Sequence, residues 1–262
     1  MNVLEINNVT KRFGNLIAVR DVSLNVAKGE MCAIIGPNGA GKTTFFNLIS
    51  GFFPPTSGSI VFDGRDITKL STHERVTRGM ARTFQITEIF PELTVFENVR
   101  ISAEVAGGYR LRPWINRAEA AQVHARVEET LKLVSLEAKS DRLVGELAHG
   151  DQRSAEIAMA LALKPHLLLL DEPTVGLDIK ARADILDHVR RLSTVAGIGV
   201  LWATHLIDEA AAGDDVVVLH KGKVLAHGAA GDVIGKSGGA DLRDAFNRLT
   251  GTADQGELEA AR

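Results

Sequence analysis

The chain has 262 residues, of which 45% are hydrophobic and 24% are charged, and its formal net charge is −3. This length and composition are typical of one large soluble α/β domain, which can build its core without disulfides or metals. The mildly acidic balance argues against a general nucleic-acid binder, because duplex binding needs a basic face. We therefore expect no nucleic acid among the partners.

The beginning of the chain alternates β-rich segments with turns. Composition and alternation predict strands in four segments: residues 3–9, 17–26, 31–35 and 59–62. A helix is predicted over residues 42–50 and ends at Gly51, before a break rich in proline and glycine at residues 54–58. The single cysteine, Cys32, lies in an apolar strand, so we interpret it as a core residue of a protein in a reducing cytoplasm.

The central part of the chain is predicted to be helical. Helical spacing with few turn signals occurs in three segments: residues 95–105, 118–134 and 151–163. Residues 107–114 are predicted to form a surface loop. We therefore expect a helical subdomain, residues 86–165, inserted into an α/β chain.

Strands and helices alternate again after this region. Strands are predicted at residues 167–170, 198–203 and 215–220, and helices at residues 180–195 and 206–212. Such alternation indicates a mostly parallel sheet. Residues 229–262 are expected to contain a C-terminal helix, followed after Gly251 by a polar tail with frayed ends.

The chain contains no obvious membrane signal. Its first 13 residues lack the apolar segment of a signal peptide. Its apolar runs are much shorter than the ~20 residues of a membrane helix. If the protein acts at a membrane, we expect another protein to hold it there.

Residues 36–43, with the sequence GPNGAGKT, fit the phosphate-loop pattern. Glycines let the backbone curl so that its N–H groups point at anionic oxygens, and the helix that follows adds its positive N-terminal end. Lys42 can reach the β- and γ-phosphates, and the Thr43 hydroxyl can bind Mg²⁺. The alternative is a structural glycine-rich turn, but the loop follows a predicted strand and opens a predicted helix, as phosphate binding requires. The predicted ATP-binding residues of this segment are Gly36, Pro37, Asn38, Gly39, Ala40, Gly41, Lys42, Thr43 and Thr44.

Asp171 and Glu172 follow four consecutive leucines and so come at the carboxyl end of a predicted buried strand. Ligands of open α/β sheets bind at that edge. Asp171 is therefore placed to hold Mg²⁺, directly or through water, and Glu172 to orient and deprotonate an attacking water. Taken alone, two acids after a strand are more often the cap of a turn; the phosphate loop upstream favours the catalytic interpretation.

The ordered set of motifs from residue 3 to about residue 228 resembles the nucleotide-binding subunit of ABC transporters. Besides the two motifs above, the resemblance rests on Gln85 in the sequence ARTFQ, on residues 147–153 (LAHGDQR), on residues 174–178 (TVGLD), on His205, and on Phe13 followed by glycine. It implies a P-loop NTPase fold with a mostly parallel sheet core (residues 1–85 and 166–228), an N-terminal antiparallel β subdomain and the inserted helical subdomain, all forming one ABC ATPase domain over residues 1–262.

The same resemblance implies a role for each matched residue. Gln85, Glu172 and His205 would be catalytic; Gln85 would also sense the γ-phosphate and bind Mg²⁺ together with Thr43 and Asp171. Phe13 would stack on adenine. The motif at residues 147–153 would cap the ATP held by a second, head-to-tail subunit, and Asp178 would cross that dimer interface. The implied cofactors are ATP and Mg²⁺.

The signature motif departs from the common sequence LSGGQ of the family. Ala148 replaces the serine whose hydroxyl would bind the γ-phosphate, His149 replaces the first glycine, and Asp151 replaces the glutamine, whereas Gly150 remains. Backbone N–H groups at a helix start near Asp151 can still bind an anion. We expect a working site with one hydroxyl contact fewer; the alternative is a degenerate half-site paired with a different ATPase.

Residues 79–98 resemble the ATPases of branched-chain and hydrophobic amino-acid importers, a group that also tolerates His and alanine in the signature. This resemblance favours import of a small amino acid or a similar polar solute, at the cytoplasmic face of the cell membrane. Residues 240–251 look more like exporter ATPases, so export is the alternative. The implied partners are a second ABC ATPase subunit, alike or different, integral membrane permeases, and an extracytoplasmic solute-binding protein. A non-transport ABC ATPase and a binding module without hydrolysis fit less well, because the chain has one cassette and retains Lys42 and Glu172.

Overall fold

The computed structural model describes residues 1–83, 89–109, 116–211 and 213–251. The chain forms two compact units, which are described separately below: Met1–Thr72 with Gly199–Arg262, and His73–Ile198. The predicted helical subdomain, residues 86–165, falls within the second unit. Its limits as a separate domain stay a prediction.

The described residues contain ten strands, with these bounds: β1 Asn2–Phe13, β2 Leu16–Ala27, β3 Met31–Ile35, β4 Ser57–Phe62, β5 Arg65–Asp66, β6 Met80–Thr83, β7 Leu167–Asp171, β8 Gly199–Thr204, β9 Asp215–His220 and β10 Lys223–Ala229. They also contain eight α-helices: α1 Lys42–Ser50, α2 Thr72–Val76, α3 Val95–Ala106, α4 Arg117–Leu133, α5 His149–Ala162, α6 Ile179–Ala196, α7 Ala230–Ser237 and α8 Leu242–Thr250.

The first unit contains two groups of paired strands. β1 pairs antiparallel with β2 and β4, and β4 pairs with β5. β3 lies between β8 and β9 and is parallel to both, and β10 is antiparallel to β9. Every residue of β3 and β8 is buried, which explains why these strands are continuous apolar runs. The N-terminal antiparallel strands and the parallel core agree with the predicted fold class.

The second unit combines helices with a parallel strand pair. β6 and β7 pair in parallel register, from Met80 opposite Leu167 to Thr83 opposite Leu170. Helix α3 packs against α4 and α5, and α5 packs against α6. Both α3 and α4 begin with a capping box, in which Thr94 or Asn116 exchanges hydrogen bonds with the glutamate three residues later. These caps satisfy first-turn N–H groups and set the helix starts close to where helical spacing predicted them.

Two predicted helix positions were wrong. Residues 206–212 were predicted as an α-helix, but the described residues form only a 3-10 turn, Ile207–Glu209, after which Ala210 has extended backbone (φ −77°, ψ 121°). So short a segment does not recover the cost of helix nucleation. Helix α5 begins at His149, two residues before the predicted start, because Ala148 already has the extended backbone (φ −60°, ψ 151°) of an N-cap.

Some elements had no clear signal in the sequence. The strands β6 and β10 and the short helix α2 were not predicted. Residues of β10 alternate between exposed and half-buried, with Gly228 at φ 141°, so an apolar pattern is missing. Where one C-terminal helix was expected, the described residues contain two, α7 and α8, and Asp241 caps α8 through a hydrogen bond from the backbone N–H of Asp244. The predicted polar tail lies outside the described residues.

Cys32 has no solvent exposure, and its interpretation as a core residue is confirmed. Burial raises the pKa of its thiol well above the ordinary value, which disfavours the reactive thiolate. Within the four described stretches, we find no helix with the length and apolarity that a bilayer span requires.

Glu30, in the turn before β3, gives a pH-dependent stability. Burial raises the pKa of its carboxyl to about 7 from an ordinary 4.5, and the hydrogen bond with Asp215 adds to the shift. The folded state therefore retains this proton more strongly than the unfolded chain. The resulting stabilisation is complete below pH 4.5 and is lost as the pH rises through about 7.

We therefore expect Glu30→Gln, which stays neutral at every pH, to gain stability relative to the parent chain between pH 5 and pH 8. Urea unfolding of both proteins at the two pH values measures this difference. A difference between the two proteins that is the same at both pH values would contradict the raised pKa.

Candidate functional site

The predicted phosphate loop lies between β3 and α1, as its mechanism requires. The Gly36 N–H donates to the Thr204 carbonyl at 3.3 Å, and the Gly222 N–H donates to the Ala40 carbonyl at 2.8 Å. Within the loop, the Ala40 N–H donates to the Pro37 carbonyl at 3.1 Å. These bonds hold the loop against β8 and the turn after β9, so the loop is shaped by the strands that flank β3.

Glycine at position 41 is required by both conformation and space. Gly41 is the N-cap of α1 and has φ 104°, a region that side chains disfavour. A Cβ built on Gly41 would lie 2.6 Å from the Ala18 carbonyl oxygen. The loop can therefore curl closely over β2 only with glycine here, at the start of α1, and N–H groups at a helix start can bind an anion.

Lys42 is buried in the loop, with 5% of its surface exposed. Its Nζ donates to the Gly36 carbonyl at 2.7 Å and to the Pro37 carbonyl at 3.2 Å. A buried ammonium stabilised by neutral carbonyls is well suited to an anionic oxygen, which would form a stronger, charge-assisted bond. Next to it, Thr43 is exposed and Thr44 is half-buried.

His205 follows β8 and lies beside the phosphate loop. Ile35 and Thr204 are opposite each other in the parallel β3–β8 register, so the phosphate loop and His205 leave neighbouring strands at the same edge. The Thr204 hydroxyl accepts a hydrogen bond from the Leu206 N–H at 2.9 Å and so shapes the turn that carries His205. The His205 side chain is exposed. Sequence alone could not show that these two segments are neighbours.

Phe13 ends β1 and presents an aromatic surface to solvent, with 46% of the residue exposed. Its ring meets Phe53 edge-on, with centroids 5.4 Å apart. The Lys11 Nζ lies 4.6 Å from the Phe53 centroid and 5.2 Å from the Phe13 centroid. This arrangement holds the Phe13 ring while leaving part of it available for stacking.

Asp171, in the second unit, is the last residue of β7 and is 1% exposed. Its Oδ2 accepts a hydrogen bond from Arg82 on the neighbouring strand β6 at 3.0 Å. Burial lowers the pKa of the Arg82 guanidinium, and the Asp171 carboxylate opposes that shift. Arg82 was not predicted as a site residue; its only signal was its place in the sequence ARTFQ, three residues before Gln85.

Glu172 has a left-handed backbone, with φ 50°. Non-glycine residues rarely adopt this conformation, and such strain is concentrated at functional sites. The chain therefore turns sharply at Glu172, directly after the buried strand, and the side chain is half-buried. This turn could not be inferred from the sequence, in which the following Pro173 favours extended backbone.

The signature residues form the start of α5. Ala148 is the N-cap and provides no side-chain hydrogen bond, and both Ala148 and His149 are exposed. A Cβ on Gly150 would lie 2.9 Å from the Ala181 Cβ, so this glycine allows α5 to pack closely on α6. Asp151 pairs with Lys139 at 2.6 Å. The lysine compensates the negative charge that Asp151 brings to a helix end where an anion is expected to bind.

Asp178 is the N-cap of α6, where its carboxylate accepts a hydrogen bond from the Ala181 N–H at 2.9 Å. A structural role therefore accounts for this residue, and its predicted place at a dimer interface stays a prediction. Gln85, predicted as a catalytic and Mg²⁺-binding residue, lies outside the described residues. Among the residues that are described, no group of three or more His, Cys, Asp and Glu side chains is arranged to hold a metal ion.

Comparisons with known proteins agree on the family. A family model described as ABC transporter matches residues 19–175. The chain is 37% identical to the Fe(3+) ions import ATP-binding protein FbpC of Pasteurella multocida, over 85% of this chain and 60% of the relative. It is 38% identical to the sulfate/thiosulfate import ATP-binding protein CysA 2 of Shewanella oneidensis, over 86% of this chain and 61% of the relative. The chain thus spans about three fifths of the length of these relatives.

A solved structure gives the same result. The dimeric structure of MJ0796, a bacterial ABC transporter cassette, superposes with a TM-score of 0.72 at 30% sequence identity and covers 86% of this chain and 98% of that one. The phosphate loop, the start of α5 and Glu172 after β7 all lie within residues 19–175, which the family model matches. This chain therefore belongs to the ABC transporter family and is an ATP-binding cassette of that family.

Proposed function

We propose that this chain binds and hydrolyses ATP and thereby energises transport through a membrane permease. The observation that carries the proposal is the buried Lys42 Nζ inside the glycine loop, which donates hydrogen bonds to the Gly36 and Pro37 carbonyls where a phosphate oxygen would accept a stronger, charge-assisted bond. The left-handed turn at Glu172 adds a second feature, because it presents a carboxylate at the end of a buried strand.

The side chains and backbone groups described above have the chemistry needed to bind ATP together with Mg²⁺. Backbone N–H groups of the loop and the Lys42 ammonium would bind the phosphates, and the exposed ring of Phe13 would stack on adenine. Mg²⁺ prefers oxygen ligands and shares phosphate oxygens, so it needs few protein ligands. We propose Thr43, Asp171 and Gln85 for that role, with Arg82 fixing the Asp171 carboxylate. The bound ion would neutralise negative charge on the phosphates.

For hydrolysis, we propose that Glu172 accepts a proton from the attacking water and that His205 and Gln85 contact the γ-phosphate. General bases of this kind contribute about 10²–10⁴-fold to rate. The signature at the start of α5 would complete the site on a second subunit, and the dimeric state of the related MJ0796 cassette supports this arrangement. His149, Gly150 and Asp151 offer backbone N–H groups for this contact, whereas Ala148 offers no hydroxyl.

The proposed partners follow from the transport role. Two such cassettes, alike or different, would bind integral membrane permeases at the cytoplasmic face, and a solute-binding protein would deliver the cargo from outside. The relatives are named as importers of ferric ions and of sulfate or thiosulfate, so they favour import of an inorganic ion. They do not support the branched-chain amino-acid expectation, whose remaining argument is the resemblance of residues 79–98.

The direct test is to isolate the chain from membranes in mild detergent, identify its partners and measure phosphate release. We expect Mg²⁺-dependent ATP hydrolysis, two permease chains and a solute-binding protein. Binding of ferric ion, sulfate and leucine to that solute-binding protein then identifies the cargo class. A single exporter-type membrane subunit would overturn import, and absence of ATP hydrolysis in the assembled complex would overturn the proposed function.

A further inference from the structure

Arg153 is a buried arginine whose contacts converge on the loop that carries Glu172. It lies on α5 and is 5% exposed. Its Nε donates to the Pro173 carbonyl at 3.0 Å, and one terminal nitrogen donates to the Asp171 carbonyl at 3.1 Å and, more weakly, to the Glu172 carbonyl at 3.5 Å. One guanidinium thus spans three consecutive carbonyls.

Those carbonyls converge because of the unusual turn at Glu172. A left-handed residue changes the direction of the chain, and here the carbonyls before and after it face the same guanidinium group. Strained backbone persists where the surroundings over-determine it. The planar guanidinium has donors in fixed directions and can therefore hold these carbonyls, and with them the left-handed turn, in one arrangement. A lysine ammonium has no such fixed geometry.

The charge of Arg153 is compensated within the same helix. Its other terminal nitrogen forms a close ion pair with Glu156, one turn further along α5 and also 5% exposed. A buried ion pair of this kind is poor evidence for added stability, because desolvation offsets the attraction. Stability therefore does not explain why Arg153 is buried at this position. Its hydrogen bonds to the carbonyls of residues 171–173 do explain it.

The position of Arg153 along α5 links two parts of the proposed site. His149 and Gly150, which open α5, lie one turn before Arg153 on the same rigid helix. We propose that Arg153 is a positioning residue that holds the Glu172 turn in its working conformation and couples it to the signature end of α5. This inference rests on the proposed function. It adds that the catalytic glutamate is held by the helix whose start binds the partner's nucleotide.

The test compares Arg153→Lys and Arg153→Met/Glu156→Met with the parent chain in the assembled complex. The lysine keeps the charge opposite Glu156 but loses the fixed geometry of the guanidinium. The double variant removes both charges, so no unpaired buried ion remains. In both variants, we expect kcat for ATP hydrolysis to fall at least ~10-fold while KM for ATP changes less than about twofold, because phosphate binding does not involve Arg153.

A matched control removes an ion pair of the same unit that does not touch residues 171–173. Arg191 and Asp187 form such a pair on α6, at 3.5 Å and largely exposed. Arg191→Met/Asp187→Met should leave kcat unchanged. Hydrogen exchange gives a readout that does not depend on turnover: the amides of Glu172 and of residues 174–176 should exchange faster in Arg153→Lys than in the parent chain or the control.

The outcomes separate the inference from the function on which it rests. Parental kcat and parental exchange in Arg153→Lys would overturn the positioning role. A loss of kcat accompanied by an equal loss of ATP affinity, or by faster exchange throughout the unit, would show a merely structural arginine and would also overturn it. If the parent chain itself hydrolyses no ATP, the proposed function fails, and the local exchange result then decides the positioning role alone.

Discussion

Glu172→Gln is expected to bind ATP with nearly parental affinity and to release phosphate at least ~100-fold more slowly, which is the low end of a general base's contribution. Glutamine has the same shape as glutamate, so the left-handed turn and the contacts of Arg153 with the backbone should persist. Only the ability to accept a proton is lost. With hydrolysis blocked, the ATP-bound dimer should accumulate.

Phosphate release and gel filtration with Mg²⁺-ATP measure the two parts of this result. Glu129→Gln, an exposed glutamate on α4, is the matched control and should behave like the parent chain. Hydrolysis by Glu172→Gln at the parental rate would show that another group accepts the proton, and the assignment of Glu172 would then be wrong.

Lys42→Ala is expected to weaken ATP binding by ten- to a hundredfold or more. A hydrogen bond to a charged group contributes about 1.5–3 kcal/mol, and each 1.4 kcal/mol is about tenfold in affinity. The buried position of Lys42, inside the loop and in contact with the Gly36 carbonyl at 2.7 Å, places its charge where the phosphates would lie. Screening by solvent is therefore weak.

Calorimetric titration of the purified chain with ATP measures the change. Lys28→Ala removes the same charge from an exposed turn of the same unit and should retain parental affinity. Equal affinity of Lys42→Ala and the parent chain for ATP would contradict the phosphate-loop assignment, whatever the effect on turnover.

Ala148 and Asp151 are two of the signature residues that differ from the common family sequence, and the structure shows a compensating contact for only one of them. A carboxylate such as that of Asp151, in place of the glutamine, would by itself repel a phosphate at this helix start. In the structure, Asp151 is paired with Lys139 at 2.6 Å, so much of that charge is compensated within the subunit. The missing hydroxyl at Ala148 has no such compensation, since this N-cap has no side-chain hydrogen bond. The loss of one phosphate contact therefore stays a prediction.

The sequence by itself was enough to predict the family, the position of the proposed phosphate loop and most of the helices and strands. These features depend on residues that are close together in the chain. Gly41 and Lys42 are adjacent, and the apolar runs of β3, β7 and β8 indicate buried strands whatever their neighbours in the sheet. The failures at residues 206–212 and at the start of α5 were also local, because a single turn of helix has too weak a signal to set its own limits.

Only the tertiary structure decided which distant residues meet. The β3–β8 register places His205 beside the phosphate loop, the β6–β7 register gives Asp171 its partner Arg82, and α5 brings Arg153 to the carbonyls around Glu172. Such contacts depend on strand order and helix packing, to which residues far apart in the chain contribute together. For the same reason the left-handed turn at Glu172 was not predictable, because one of the side chains in contact with it lies nineteen positions earlier in the chain.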